Sequence, residues 1–294
     1  MSHPAVTTTE EAPRYIRVGH SPDPDDAFMF YALAQNKIPT GSQRFVHELQ
    51  DIETLNRRAL QGELEVSAVS IHAYAYLADR YALLSCGCSM GDRYGPILVS
   101  RRRLSLRDLP DASIAVPGTL TTAFLVLQLL YESLQARPRL RYQVMPFDQI
   151  LGAVATGQCD AGLIIHEEQL TFRHRGLNLI LDLGVWWQER TGLPLPLGGN
   201  VVRKDLGPDL MGRINHLVQE SIRYGLTHRE EALAYALQYA RDMDLSLADR
   251  FVAMYVNDWT LDYGPHGRAA IQCLLDEAVK ARILSAPPSV EFVT

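Results

Sequence analysis

The segment Gln158-Cys159-Asp160-Ala161-Gly162-Leu163-Ile164-Ile165-His166-Glu167 carries the residue best placed to do chemistry. Its apolar run, Leu163 to Ile165, is short enough for a buried strand and stops at a histidine and a glutamate. In open α/β sheets, ligands sit beyond the carboxyl ends of the strands. A histidine delivered there is placed as a general base or acid, and its ordinary pKa suits proton transfer near neutrality. The pattern is equally met by a histidine that only closes the strand with backbone bonds. Glu167, if it continued the strand, would face away from its neighbour.

Other residues fit the same cleft. Ser70 stands where a strand meets a helix start, and so do Thr121 and Thr122. Hydroxyls, free backbone N–H groups and a helix dipole there favour a carboxylate or phosphate; each hydroxyl could instead cap its own helix. Asp23, Asp25 and Asp26 form an acidic group that reads either as a site edge or as helix capping, with Pro24 at the first helical position. Trp186-Trp187 offers at most one ring for stacking on a ligand. His20, His72 and His174 are isolated and read as structural.

Strands alternating with helices position these groups, which indicates an α/β fold with a mainly parallel sheet in each of two lobes. Strands are expected at 15–19, 45–49, 66–69, 81–86, 96–100, 113–116, 142–145, 163–165 and 177–183, with 192–200 as a Gly/Pro-rich loop leading into Val201-Val202. Helices are expected at about 208–224, 228–242, 247–258 and 266–282, the middle two opened by capping boxes at Thr227 and Ser246. Residues 1–13 read as a disordered tail, 14–100 with 201–294 as lobe I including the C-terminal helices, and 101–200 as an inserted lobe II carrying His166. Two crossings, near Ser100 and Asn200, would form a hinge able to close around a ligand.

The 294 residues suffice for two ordinary domains, and 47% apolar with 21% charged residues is a globular balance. A net charge of −6 leaves no basic excess for nucleic acid. Arg101-Arg102-Arg103 reads as a solvated turn. No membrane span and no secretory signal are evident, so a cytoplasmic protein is expected. The four cysteines lack zinc spacing, and no metal is expected. No Gly-x-Gly-x-x-Gly follows the first strand, no P-loop occurs, and no Gly-x-Ser-x-Gly elbow supports acyl transfer.

Four segments together, SPDPDDAFMFYAL (Ser21 to Leu33), DIETLNRRAL (Asp51 to Leu60), GLIIHE (Gly162 to Glu167) and DLGVWWQERTGLPLPLG (Asp182 to Gly198), resemble the 1,4-dihydroxy-6-naphthoate synthase family of futalosine-route menaquinone biosynthesis. The resemblance runs from about Arg17 to the C-terminus. It implies a periplasmic-binding-protein-like type II fold used as a cytoplasmic lyase that cleaves cyclic dehypoxanthine futalosine without a cofactor. It implies that His166 is the proton acceptor and that Ser70, Thr121 and Thr122 bind the small carboxylate substrate; Ala68 and Val69, just before Ser70, are expected to join them, with Asp25 and Asp26 at the site edge. Two departures stand out. Asp23 and Asp25 replace a cysteine and an amide of the family's Ser-Pro-Cys-Pro-Asn-Asp, and Ala68 replaces a frequent lysine. The runner-up functions are a chorismate dehydratase-like sibling enzyme and a non-catalytic solute-binding protein for a small carboxylate. Oligomeric state has no sequence signal.

Overall fold

The computed structural model describes residues 13–135, 140–240 and 243–293, so the N-terminal tail falls outside the described residues except at its last position. The strands are β1 (Arg14–His20), β2 (Gln43–Leu49), β3 (Val66–Ser70), β4 (Tyr81–Leu83), β5 (Ser89–Gly91), β6 (Ile97–Ser100), β7 (Ser113–Val116), β8 (Arg141–Val144), β9 (Ala161–Ile164), β10 (Asn178–Asp182) and β11 (Leu195–Arg203). They form two sheets, in the orders β2-β1-β3-β11-β4, with β5 also on β11, and β10-β6-β9-β7-β8.

Both sheets are mixed where mainly parallel ones were expected. β1 pairs in parallel with β2 and β3, and β7 with β8 and β9. β11 and β6 run antiparallel to every strand they pair with. Strands reached through a helical crossover enter from the same end. β6 and β11 are instead entered from the other sheet, β11 by way of the helix Leu183–Thr191, and come in from the opposite end.

The chain also changes sheets earlier than Ser100. All four residues of β6 (ILVS) are buried and pair with β9 and β10, so this strand belongs with the second sheet. Residues 195–200, expected as a loop, form the first half of β11. Pro196 and the two glycines do not break it, because their partners there are β5 and β3, with a register shift at Pro196/Gly198.

The helix α1 (Pro24–Ala34) is buried on all sides from Pro24 to Leu33. It packs against the helices Pro208–Thr227, Arg229–Ala236 and Leu245–Tyr255, which explains why it shows no single apolar face. Its N-terminus is thereby held rigidly against the end of β1. Further helices frame the cleft: α2 (Ile52–Gln61), α3 (Ile71–Tyr74), α4 (Thr122–Ser133) and α5 (Phe147–Thr156).

The C-terminal helices start elsewhere than the capping-box spacing implies. Thr227 Oγ1 donates back to the carbonyls of Arg223 and Tyr224 and so ends one helix instead of opening the next. Asp244, not Ser246, caps the helix Leu245–Tyr255 by accepting from Leu247 N at 2.8 Å. The helix expected to reach 242 gives way to a 3₁₀ turn at Leu237–Tyr239, and 241–242 lie outside the described residues.

Where the chain first leaves the first sheet, two backbones nearly touch. A methyl group on Gly184 would overlap the Tyr94 carbonyl and approach Gly95 N to 2.6 Å. Neither obstacle is a flexible side chain. Gly184→Ala is therefore expected to cost roughly 1–3 kcal/mol, the usual range for overpacking. Thermal unfolding measures it; an unchanged midpoint would mean that the crossing yields freely.

Candidate active site

β9 ends at Ile164, and two residues later His166 adopts φ +56°, a left-handed conformation that costs a residue with a β-carbon roughly 1–2 kcal/mol. Departures of this kind persist where surrounding structure enforces them and concentrate at functional sites. Here the turn carries the imidazole across to the other sheet's elements. His166 Nδ1 lies 2.9 Å from Asp23 Oδ2, and the Asp23 side chain is 1% exposed. The ring meets Phe147 edge-on at 4.8 Å between centroids. Nε2 is buried with no hydrogen-bond partner among the described residues.

Burial alone would depress the imidazole pKa. The charge and hydrogen bond of Asp23, helped by Glu167, outweigh it and raise the pKa to about 9. With Nδ1 facing Asp23, the proton that comes and goes is the one on Nε2. The tautomer of the ring is thus set by a carboxylate from 143 residues earlier in the chain.

Asp23 occupies the N-cap position of α1, yet its side chain makes no cap bond; it turns to His166. Asp26 has a separate task. Its Oδ2 accepts from Ser21 N at 2.7 Å and Ser21 Oγ at 2.8 Å, bracing the β1–α1 turn. Burial raises the Asp26 carboxyl to about 6 against those bonds. Asp25, also buried, lines the cavity beside His166.

One cavity gathers all the remaining expected residues: Ala68, Val69 and Ser70 from β3, Thr121 and Thr122 at the start of α4, and His166. Their polar groups are less free than the sequence implies. Thr121 Oγ1 accepts from Phe124 N at 3.2 Å and donates to the Gly118 carbonyl at 3.0 Å, so it caps its own helix. Thr122 Oγ1 donates to the Leu197 carbonyl at 2.6 Å and accepts from His72 N at 3.2 Å, joining α4 to β11 and α3. What the start of α4 offers a ligand is backbone N–H and dipole rather than hydroxyl.

Ser70 is oriented by Asn56, a residue not picked out from the sequence. Ser70 N donates to Asn56 Oδ1 at 2.8 Å, and Asn56 Nδ2 donates to Ser70 Oγ at 3.1 Å. The Ser70 N–H is therefore not available to a ligand, but its hydroxyl proton is. A lone asparagine on the buried face of amphipathic α2 was the available signal. Asn56→Ala leaves the buried Ser70 N–H unpaired and is expected to cost roughly 1–3 kcal/mol, measurable by urea unfolding. No change there would mean that Ser70 finds another partner.

The cavity wall also includes Gly198, Gly199 and Asn200 of β11, together with Gln169, Phe251 and Tyr255. These too were missed, because the β11 residues were read as loop and the last two lie on a C-terminal helix with no chemical motif. Asn200 Nδ2 donates to the Gly87 carbonyl at 2.9 Å, and its Oδ1 is buried without a partner among the described residues. No lysine or arginine is among the described residues that line the cavity, so nothing there replaces a cation at Ala68.

The other candidates are structural. Trp187 is fully buried with Nε1 donating to the Pro194 carbonyl, and neither tryptophan lines the cavity. His20 is stacked on Phe30, and burial holds its pKa down at about 4; His72 is held down similarly. His174 lies outside this cavity. Among the described residues no helix is long and apolar enough to cross a membrane.

The family model described as "Menaquinone biosynthesis" matches residues 16–280. The chain belongs to the menaquinone biosynthesis family. A Thermus thermophilus protein named 1,4-dihydroxy-6-naphthoate synthase is 42% identical over 272 residues, covering 92% of this chain and 96% of its own. A crystal structure of an Archaeoglobus fulgidus protein superposes with a TM-score of 0.86 at 43% identity, covering 92% of this chain and 98% of its own. A Candida albicans protein described as having the generic periplasmic binding protein fold superposes at 0.70 with 13% identity, covering 93% and 92%. At that identity the likeness concerns fold alone, and it gives this menaquinone-family member the periplasmic-binding-protein-like architecture.

Proposed function

We propose that this member of the family is a 1,4-dihydroxy-6-naphthoate synthase: a cytoplasmic lyase that opens cyclic dehypoxanthine futalosine by proton abstraction, with His166 as base and no cofactor. The observation that carries this reading is the imidazole itself. Its Nδ1 is engaged by Asp23, and its Nε2, with no hydrogen-bond partner among the described residues, belongs to a ring on the wall of a cavity lined by β3, β11, the start of α4 and the turn after β9. Binding of a small carboxylate would use the backbone at the start of α4 and the Ser70 hydroxyl, no lysine or arginine being among the described residues that line the cavity.

Several contacts join elements of the two sheets across this cavity. Glu53 Oε2 accepts from Leu120 N at 3.1 Å, and Tyr255 OH donates to Gln169 Oε1 at 3.3 Å. With Asp23–His166 they hold the walls together. The base is thus assembled only when both halves meet. A solute-binding protein needs no carboxylate-oriented imidazole, which favours the enzyme over that alternative.

Mass spectrometry of the product formed from cyclic dehypoxanthine futalosine tests the assignment. Release of 1,4-dihydroxy-6-naphthoate is the expected result. Conversion of chorismate to 3-enolpyruvylbenzoate, with no product from the futalosine, would assign the chain to the sibling activity instead.

A further inference from the structure

Asp25 takes no part in the steps above, yet it lines the cavity beside His166. Its side chain is buried, and its Oδ1 has no hydrogen-bond partner among the described residues. Four titratable groups face it. Asp23 and Asp26 come from its own helix, His166 from the turn after β9, and Tyr255 from the helix Leu245–Tyr255.

The three carboxyls of this helix start are not equivalent. Asp23 sits against the imidazolium at 2.9 Å, and Asp26 accepts two bonds from Ser21. Each therefore has a partner that supports its ionised form. Asp25 has neither. Burial first, then its two carboxyl neighbours, raise its pKa well above the ordinary range, and His166 with the Asp26 N–H pulls it back only in part. The positive end of α1 favours an anion, but that small effect opposes full burial and two like charges.

We propose that Asp25 stands in the resting cleft as an uncharged carboxylic acid, and that its O–H donates a hydrogen bond to the substrate oxygen that gains negative charge as His166 Nε2 removes a carbon-bound proton. This deepens the lyase reading and rests on it. The proton passes from carbon to Nε2, and the C–H electron pair flows toward the oxygen. Asp25 keeps its own proton and ends the step unchanged. A neutral carboxyl held as a donor inside a low-dielectric site stabilises such an oxyanion strongly.

An amide can take over a donor's role; it cannot act as a carboxylate or release a proton. Asp25→Asn is expected to retain kcat within about tenfold, while Asp25→Ala loses about 100-fold or more with KM changed much less and the melting midpoint kept. Equal losses in both variants would mean that an ionised carboxylate or a transferred proton is required, and the proposal fails. An unaffected Asp25→Ala overturns it as well. Infrared difference spectra of wild type against Asp25→Asn at pH 7 test the protonation directly and need no substrate. A protonated-carboxyl band lost in the variant supports the proposal, and its absence from wild type ends it. That measurement also decides the matter if the alanine variant does not fold. It is independent of whether the futalosine is turned over, so the two readings fail separately.

Discussion

His166→Ala is expected to reduce turnover of cyclic dehypoxanthine futalosine by at least about 100- to 10,000-fold, the range a positioned general base contributes. Substrate affinity, measured by calorimetry, should stay within about tenfold. The reason for the split is geometric. The cavity-lining groups at Ser70, at the start of α4 and on β11 do not depend on the imidazole for their positions. The loss thus falls on kcat, the signature of an interaction used in the transition state. Undiminished turnover in this variant would remove His166 as the base and with it the proposed mechanism.

Asp23→Asn should have the next largest effect, and one that pH resolves. In the wild type the imidazole pKa is raised to about 9 by Asp23 against burial. The free base is then about one part in a hundred at pH 7, and kcat/KM should climb roughly tenfold per pH unit before levelling near pH 9. An asparagine removes the charge that raises the pKa and leaves the burial that lowers it. The rising limb should therefore move below the ordinary 6.5. The plateau should also fall, by about 100-fold or more, because an amide can donate to Nδ1 and leave the proton on Nε2, the wrong tautomer for a base. A limb that stays near pH 9 in the variant would show that Asp23 does not control the imidazole.

The same ion pair makes a prediction for stability. His166 has a folded pKa above its unfolded value, so its contribution is fully present below about pH 6.5 and is lost as pH rises through about 9. Asp23→Asn should flatten this part of the unfolding free energy against pH. A wild-type curve already flat between pH 6 and 10 would contradict the raised value.

Much of the framework was readable from local pattern. Of the apolar run Leu163 to Ile165, the first two residues lie in a fully buried central strand that begins at Ala161, and the Asp-Pro-Asp-Asp start of α1 and the Thr121 cap lie where their residue types put helix starts. Each rests on interactions between residues a few positions apart, which composition and spacing encode directly. The misreadings share a cause as well. Leu195 to Asn200 looks like a loop because glycine and proline weaken a strand, yet cross-sheet pairing with β3 and β5 outweighs that local preference. β6 looks like the end of the first unit by position, but its partners lie about 60 and 80 residues further on.

The sequence by itself determined the site's raw materials: a histidine just past a buried strand, an acidic helix start, and hydroxyls where strands meet helices. Which of them come together was decided only in three dimensions. Asp23 and Asp26 carry the same group three residues apart, but the folded chain sets one against an imidazole and the other against Ser21. The hydroxyls of Thr121 and Thr122 are consumed by neighbours brought in from β11, α3 and α4. A hydrogen bond or an ion pair depends on distances of a few ångströms between atoms, and for residues far apart in the chain those distances exist only once both sheets have packed.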